Sequence, residues 1–97
     1  MAAVQITVEL EIKPIQEHGQ YRAGTLVNMT PAKIAKALGF EANLQGDPYK
    51  VKHEWGFQVG DSKFGIWDYK GSARYGEFST YGDSAILKAI FGENYQG

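Results

Sequence analysis

From Val51 to Tyr69 the chain alternates bulky with polar or small residues around one turn signal, and this confines it to folds built on an antiparallel sheet. Val51, His53, Trp55, Phe57 and Val59 alternate with Lys52, Glu54, Gly56 and Gln58, the period of two that lines one face of a strand. Gly60-Asp61-Ser62-Lys63 then interrupts the pattern and leads into Phe64 to Tyr69, so the segment reads as a hairpin. Pairing Val59 with Phe64 sets Phe57 opposite Ile66, Trp55 opposite Asp68 and His53 opposite Lys70 on one face. On the other face Trp67 lies across from Gly56, where its ring covers the bare glycine, and Tyr69 lies across from Glu54. Aromatic rings therefore stand on both sides of the predicted sheet.

The flanking sequence adds strands and two helices. Val4, Ile6, Val8, Leu10 and Ile12 alternate with Gln5, Thr7, Glu9, Glu11 and Lys13, which predicts a strand that Pro14 closes, since proline cannot donate to a sheet ladder. His18-Gly19 marks a turn, and Tyr21 to Val27 is a candidate second strand interrupted by Gly24. Thr30 caps a helix over 31–38, with Pro31 at its first position and Met29 and Ile34 placed as a hydrophobic staple. Gly39 supplies the left-handed stop and Phe40 folds back on Ile34 or Ala35. Ile34, Ala37 and Leu38 are expected in the core, and Lys33 and Lys36 in water. A polar connection with a Gly46-Asp47-Pro48 turn leads to the hairpin. After it come a loop over 71–74, a strand over 77–81, and a helix over 84–91 capped by Asp83 and stopped by Gly92. That last helix has Lys88 as its one charge and is apolar nearly all round, so it needs cover on more than one side.

Length and charge narrow the functional classes. At 97 residues the chain is one domain, because single cores usually hold about 100–150 residues. A core this small leaves modest stability and makes self-association a means of gaining more. Ten basic against eleven acidic side chains leave a net charge of -1, without the excess of cations on which non-specific nucleic-acid binding depends. There is no cysteine, so disulfides, thiolate metal sites and a cysteine nucleophile are excluded, in keeping with a reducing cytosol. The N-terminus has no basic stretch ahead of an apolar run, and no apolar segment approaches the roughly 20 residues of a bilayer span. The expectation is a soluble, cytoplasmic protein.

No phosphate-cradling glycine loop is present. The histidines, His18 and His53, stand 35 residues apart and outside any paired ligand motif, so neither a metal nor a cofactor is expected. His53, Asp68 and Ser72 could be assembled into a hydrolytic site. The alternative is that Asp68 serves structure, accepting a hydrogen bond from the Trp55 indole or a loop amide, because a carboxylate at the edge of an aromatic face must be satisfied. The stretch DYKGSARYGEF offers Tyr69, Lys70, Ser72, Arg74 and Tyr75 in a glycine-punctuated loop. Rings beside cations suit a peptide, a nucleotide or a flipped base. A solvated loop whose tyrosines pack their rings and expose their hydroxyls has the same composition.

The order Leu38-Gly39, Tyr49-Lys50-Val51, Glu54-Trp55-Gly56-Phe57 and Phe64-Gly65-Ile66-Trp67-Asp68-Tyr69-Lys70 resembles small uncharacterised phage- and virus-encoded proteins. These share a pattern like LG.P...KV..EW.F followed by a turn and IYDYK. The resemblance covers residues 30–92, and the chain departs from it in carrying Trp67 where the tyrosine of IYDYK stands. It implies no activity; it implies an accessory protein that acts by binding, either inhibiting a host enzyme or defence complex or sequestering a small signal molecule.

The expected architecture is α+β: an antiparallel sheet of three to five strands with two short helices, in the order β-(β)-α-β-β-β-α, the helices covering one face. The expected function is that of a non-enzymatic, self-associating binding protein in a host cytoplasm. Its contact surface comprises Trp67, Tyr69, Lys70, Ser72, Arg74 and Tyr75, with His53 nearby. The competing readings are a small-ligand or nucleotide-sequestering pocket at the 69–75 loop and a small hydrolase using His53 and Asp68.

Overall fold

The computed structural model describes residues 11–15, 22–44 and 51–97. Most of the strand predicted over residues 4–13 lies outside them, as do the His18-Gly19 and Gly46-Asp47-Pro48 turns. The described end of that strand is β1, Ile12–Pro14. It is followed by β2 (Gly24–Leu26), α1 (Pro31–Leu38), β3 (Val51–Val59), β4 (Ser62–Tyr69), β5 (Phe78–Tyr81), α2 (Ser84–Phe91) and β6 (Tyr95–Gln96). Short 3-10 turns occupy Ser72–Tyr75 and Gly92–Asn94. The fold is α+β, with one antiparallel sheet in the order β1-β3-β4-β5-β2-β6.

The described residues form six strands, which corrects the expected three to five. The additional strand, β6, has two residues, too short to show a period in the sequence. It is held beside β2 by tertiary bonds: Val27 N–H donates to the Asn94 carbonyl at 2.8 Å, and the Asn94 side-chain amide donates to the Val27 carbonyl at 2.9 Å.

The hairpin forms with a register two residues from the predicted one. Val59 pairs with Ser62, Phe57 with Phe64, Gly56 with Gly65 and Trp55 with Ile66. The loop therefore has two residues, Gly60 and Asp61, and Gly60 at φ 59° takes the left-handed first position that a type II′ turn requires. From Glu54 to Trp67 a slip of two keeps the side chains on their predicted faces, whereas a slip of one would have inverted them all. Phe57 and Phe64 stack directly, with ring centroids 5.0 Å apart. Trp67 does not cover Gly56. Leu44 does: a Cβ built on Gly56 would lie 2.7 Å from Leu44 Cδ1.

One face of the sheet carries the core. Leu26, Trp55, Phe57, Phe64, Ile66 and Phe78 share that face by register and are fully buried, each contributing about 2–3 kcal/mol of hydrophobic stabilisation. Ile34, Ala35 and Leu38 of α1 and Leu87 and Phe91 of α2 belong to the same cluster, so both helices cover this face. The local signals around α1 act as predicted. Thr30 Oγ1 accepts the Lys33 N–H at 3.2 Å, and Gly39 at φ 92° donates to the Ala35 carbonyl. Ala37, expected inside, is exposed, and Ala35 takes its place. Helix α2 is capped by Asp83, which accepts from Ala85 N–H at 2.8 Å. Its cover is one-sided: Leu87 and Phe91 are buried, Ile86 and Ile90 half-buried, and Ala85 and Ala89 exposed. Exposed alanines cost little, and the cover expected on more than one side is supplied within the chain on one side alone. Among the described residues no helix is long and apolar enough to cross a membrane.

Candidate functional site

Where β4 ends, the chain turns sharply. Lys70 takes φ 52° and Gly71 φ 77°, two successive left-handed residues that break the strand. Ser72–Tyr75, expected as irregular loop, closes into a 3-10 turn in which Arg74 N–H donates to the Gly71 carbonyl at 3.2 Å. Gly76 at φ 73° ends it by donating to the Ala73 carbonyl. The turn is anchored to the segment before α1, because Met29 N–H donates to the Gly76 carbonyl at 3.0 Å. Glycine suits this position, since a Cβ on Gly76 would lie 3.3 Å from the Asn28 Cα and the φ of 73° disfavours a side chain.

This frame presents two ring-and-cation pairs. Lys70 Nζ sits 5.3 Å from the Tyr69 ring centroid, and the Arg74 guanidinium sits 5.8 Å from that of Tyr75, both within cation–π range. Tyr69 is 45% and Tyr75 72% exposed, and among the described residues they are the exposed large apolar side chains. The Arg74 guanidinium also folds over Gly71, where a Cβ would meet Nη2 at 2.9 Å.

The remaining predicted site residues are placed differently. Trp67 is half-buried on the sheet face away from the helices, opposite Glu54 and Ser79, and is in contact rather than left over. Ser72 is half-buried; its hydroxyl is inaccessible to solvent and accepts or donates no hydrogen bond among the described residues. His53 and Asp68 do meet. Asp68 is 1% exposed; its Oδ1 accepts the His53 backbone N–H at 2.7 Å and its Oδ2 lies 2.9 Å from His53 Nδ1. The ladder slips between Val51 and Glu54, and the carboxylate satisfies the amide that this bulge withdraws from β4. The Trp55 indole, one of the predicted donors to Asp68, donates to the Phe40 carbonyl at 3.1 Å instead. Because the Ser72 hydroxyl is not hydrogen-bonded, the acid–imidazole pair is not extended to a nucleophile of the predicted set.

Sequence reasoning missed Asn43. Its side-chain amide donates to the carbonyls of Ile15 and Gly56 at 2.9 and 3.1 Å, and its oxygen accepts the Gly56 N–H at 2.9 Å. It thereby joins β3 to the chain leaving β1. An asparagine in a polar connection reads as turn chemistry, and no spacing in the sequence marks it as a latch.

No family model, curated protein or solved structure matches the chain. Function must therefore be argued from geometry. Three clefts are formed by described residues: about 440 Å³ beside α1 at Ala32, Lys36 and Phe40, 290 Å³ at Lys63, Tyr81 and Asp83, and 520 Å³ at Arg22, Thr25, Glu77 and Gln96. None of these three is lined by residues 67–75. Among the described residues no group of three His, Asp or Glu side chains is arranged to hold a metal ion. With both rings exposed on a pinned turn, the Tyr69–Tyr75 region presents a surface suited to contact by rings and by groups that accept from cations.

Proposed function

We propose that the protein is a non-enzymatic accessory binding module that docks on a protein partner through Tyr69, Lys70, Arg74 and Tyr75. The observation that carries this reading is the double ring-and-cation arrangement at exposed tyrosines on a pinned turn. Tyrosine and arginine are the residue types that most often dominate binding energy at protein interfaces, and a turn held by backbone bonds loses little entropy on docking. Trp67 and His53 flank the surface rather than form it. The phage-like order of motifs in this chain makes a host protein, such as a defence factor, the partner to seek first.

The test is co-purification of tagged protein from host cells, comparing the natural chain with a Tyr69→Ser/Tyr75→Ser variant. A partner retained by the natural chain and lost by the variant is the expected result; equal recovery by both would refute the docking surface. Light scattering of the purified chain at high concentration asks whether the partner is a second copy. Thermal-shift measurements with nucleotides address the sequestration reading, because a ligand bound only by the native state raises the melting temperature.

A further inference from the structure

From Tyr69 to Tyr75 the chain carries two cations and no carboxylate, although the whole molecule is net negative. Among the described residues neither Lys70 nor Arg74 forms an ion pair. Both are placed against a neighbouring ring, which restrains the long side chain while leaving its charge unneutralised. The backbone beneath them is restrained as well, by the Gly76 anchor to Met29 and by Glu77 N–H donating to the Ser72 carbonyl at 3.2 Å. Two cationic donors are therefore held ready at a surface with no acid of its own in that turn.

We propose that the partner segment seated here is acidic: a peptide stretch whose Asp or Glu carboxylates accept from Lys70 and Arg74 while its apolar atoms lie across the Tyr69 and Tyr75 rings. This rests on the docking reading above and adds the chemistry of what docks. Charge complementarity of this kind sets specificity and association rate. A nucleic acid fits less well. Two cations displace about two phosphates' worth of counterion, too little to hold a strand at physiological salt. A free nucleotide requires a concavity, and the clefts described above lie elsewhere.

The experiment is a titration of isotope-labelled protein followed by amide chemical shifts. The probes are a capped heptapeptide of Glu and Asp around one tyrosine, the same peptide with Gln and Asn replacing the acids, and a thymidine heptanucleotide. Saturable shifts at residues 67–76 are expected from the acidic peptide alone, weakening several-fold between 50 and 200 mM salt as screening predicts. Lys70→Glu with Arg74→Glu should weaken binding by about tenfold or more, with the amide spectrum elsewhere unchanged as proof of folding. No shifts from the acidic peptide, equal shifts from the uncharged peptide, or tighter binding of the oligonucleotide would each overturn the proposal. The two readings separate cleanly. If the tyrosine variant loses the co-purifying partner while the charge reversal keeps it, the docking surface stands and the acidic partner falls.

Discussion

Asp68 holds the backbone N–H and the Nδ1 of His53 in a position that is 1% exposed. Removing the carboxylate leaves the backbone amide of the bulge without its acceptor, and a buried unpaired donor costs more than the bond itself contributed. Asp68→Ala should lower the unfolding free energy by about 3 kcal/mol, and Asp68→Asn, which keeps one acceptor oxygen, by roughly half as much. Urea titration measures both, and equal losses would show that the oxygen retained in Asp68→Asn contributes nothing. Tyr95 gives the opposite expectation. Its hydroxyl is buried without a hydrogen-bond partner, pressed against Gly24, so Tyr95→Phe should be neutral or stabilise by up to about 1 kcal/mol; a clear loss would reveal a bond to water. The need to satisfy Asp68 was legible from its place at the end of an aromatic strand. That His53 could stand beside it was legible too; that the carboxylate would take the His53 backbone amide was not, because a bulge adds a residue that no alternating pattern records.

At the scale of elements, what could be read was whatever the chain encodes locally. The staple, cap, proline and left-handed glycine around Pro31–Leu38 lie within a dozen residues of one another, and they place α1 without reference to the rest of the fold. The hairpin was legible in its faces but not its register, since Gly60-Asp61-Ser62-Lys63 is compatible with more than one loop length. The observed loop depends on Gly60 at φ 59°. Gly60→Val should cost about 1–2 kcal/mol by forcing a β-branched side chain into that conformation. The contact between the Phe57 and Phe64 rings in nuclear Overhauser spectra reports whether the register survives. Strand β6, Leu44 over Gly56 and the Asn43 latch were illegible, because each exists only through partners far away in sequence.

For the whole molecule, the sheet divides its work by face. The helix-covered side carries the core, and the exposed rings of Tyr69 and Tyr75 lie outside that cluster. Their joint replacement by serine should shift the melting temperature by less than about 8 °C, because each surface change usually alters stability by under about 0.5 kcal/mol and 1 kcal/mol is worth about 4–8 °C in a domain of this size. A large fall would mean that the rings serve folding and not docking. The candidate site was legible in its residue types, but Trp67 and Ser72 belong less to the surface than their position in the sequence implied, since burial is decided by the neighbouring strands. The sheet order also has a consequence for how the molecule is made. Strand β2 lies between β5 and β6, so its residues find both neighbours only once those two later strands have also been made. The β3–β4 hairpin closes locally and has no such wait. Pulse-labelled hydrogen exchange during refolding should protect the amides of Phe57 and Phe64 before that of Thr25. On the ribosome, the stretch around Gly24–Leu26 must wait for its native partners until residues 78–96 have emerged, and chaperones would meet it there.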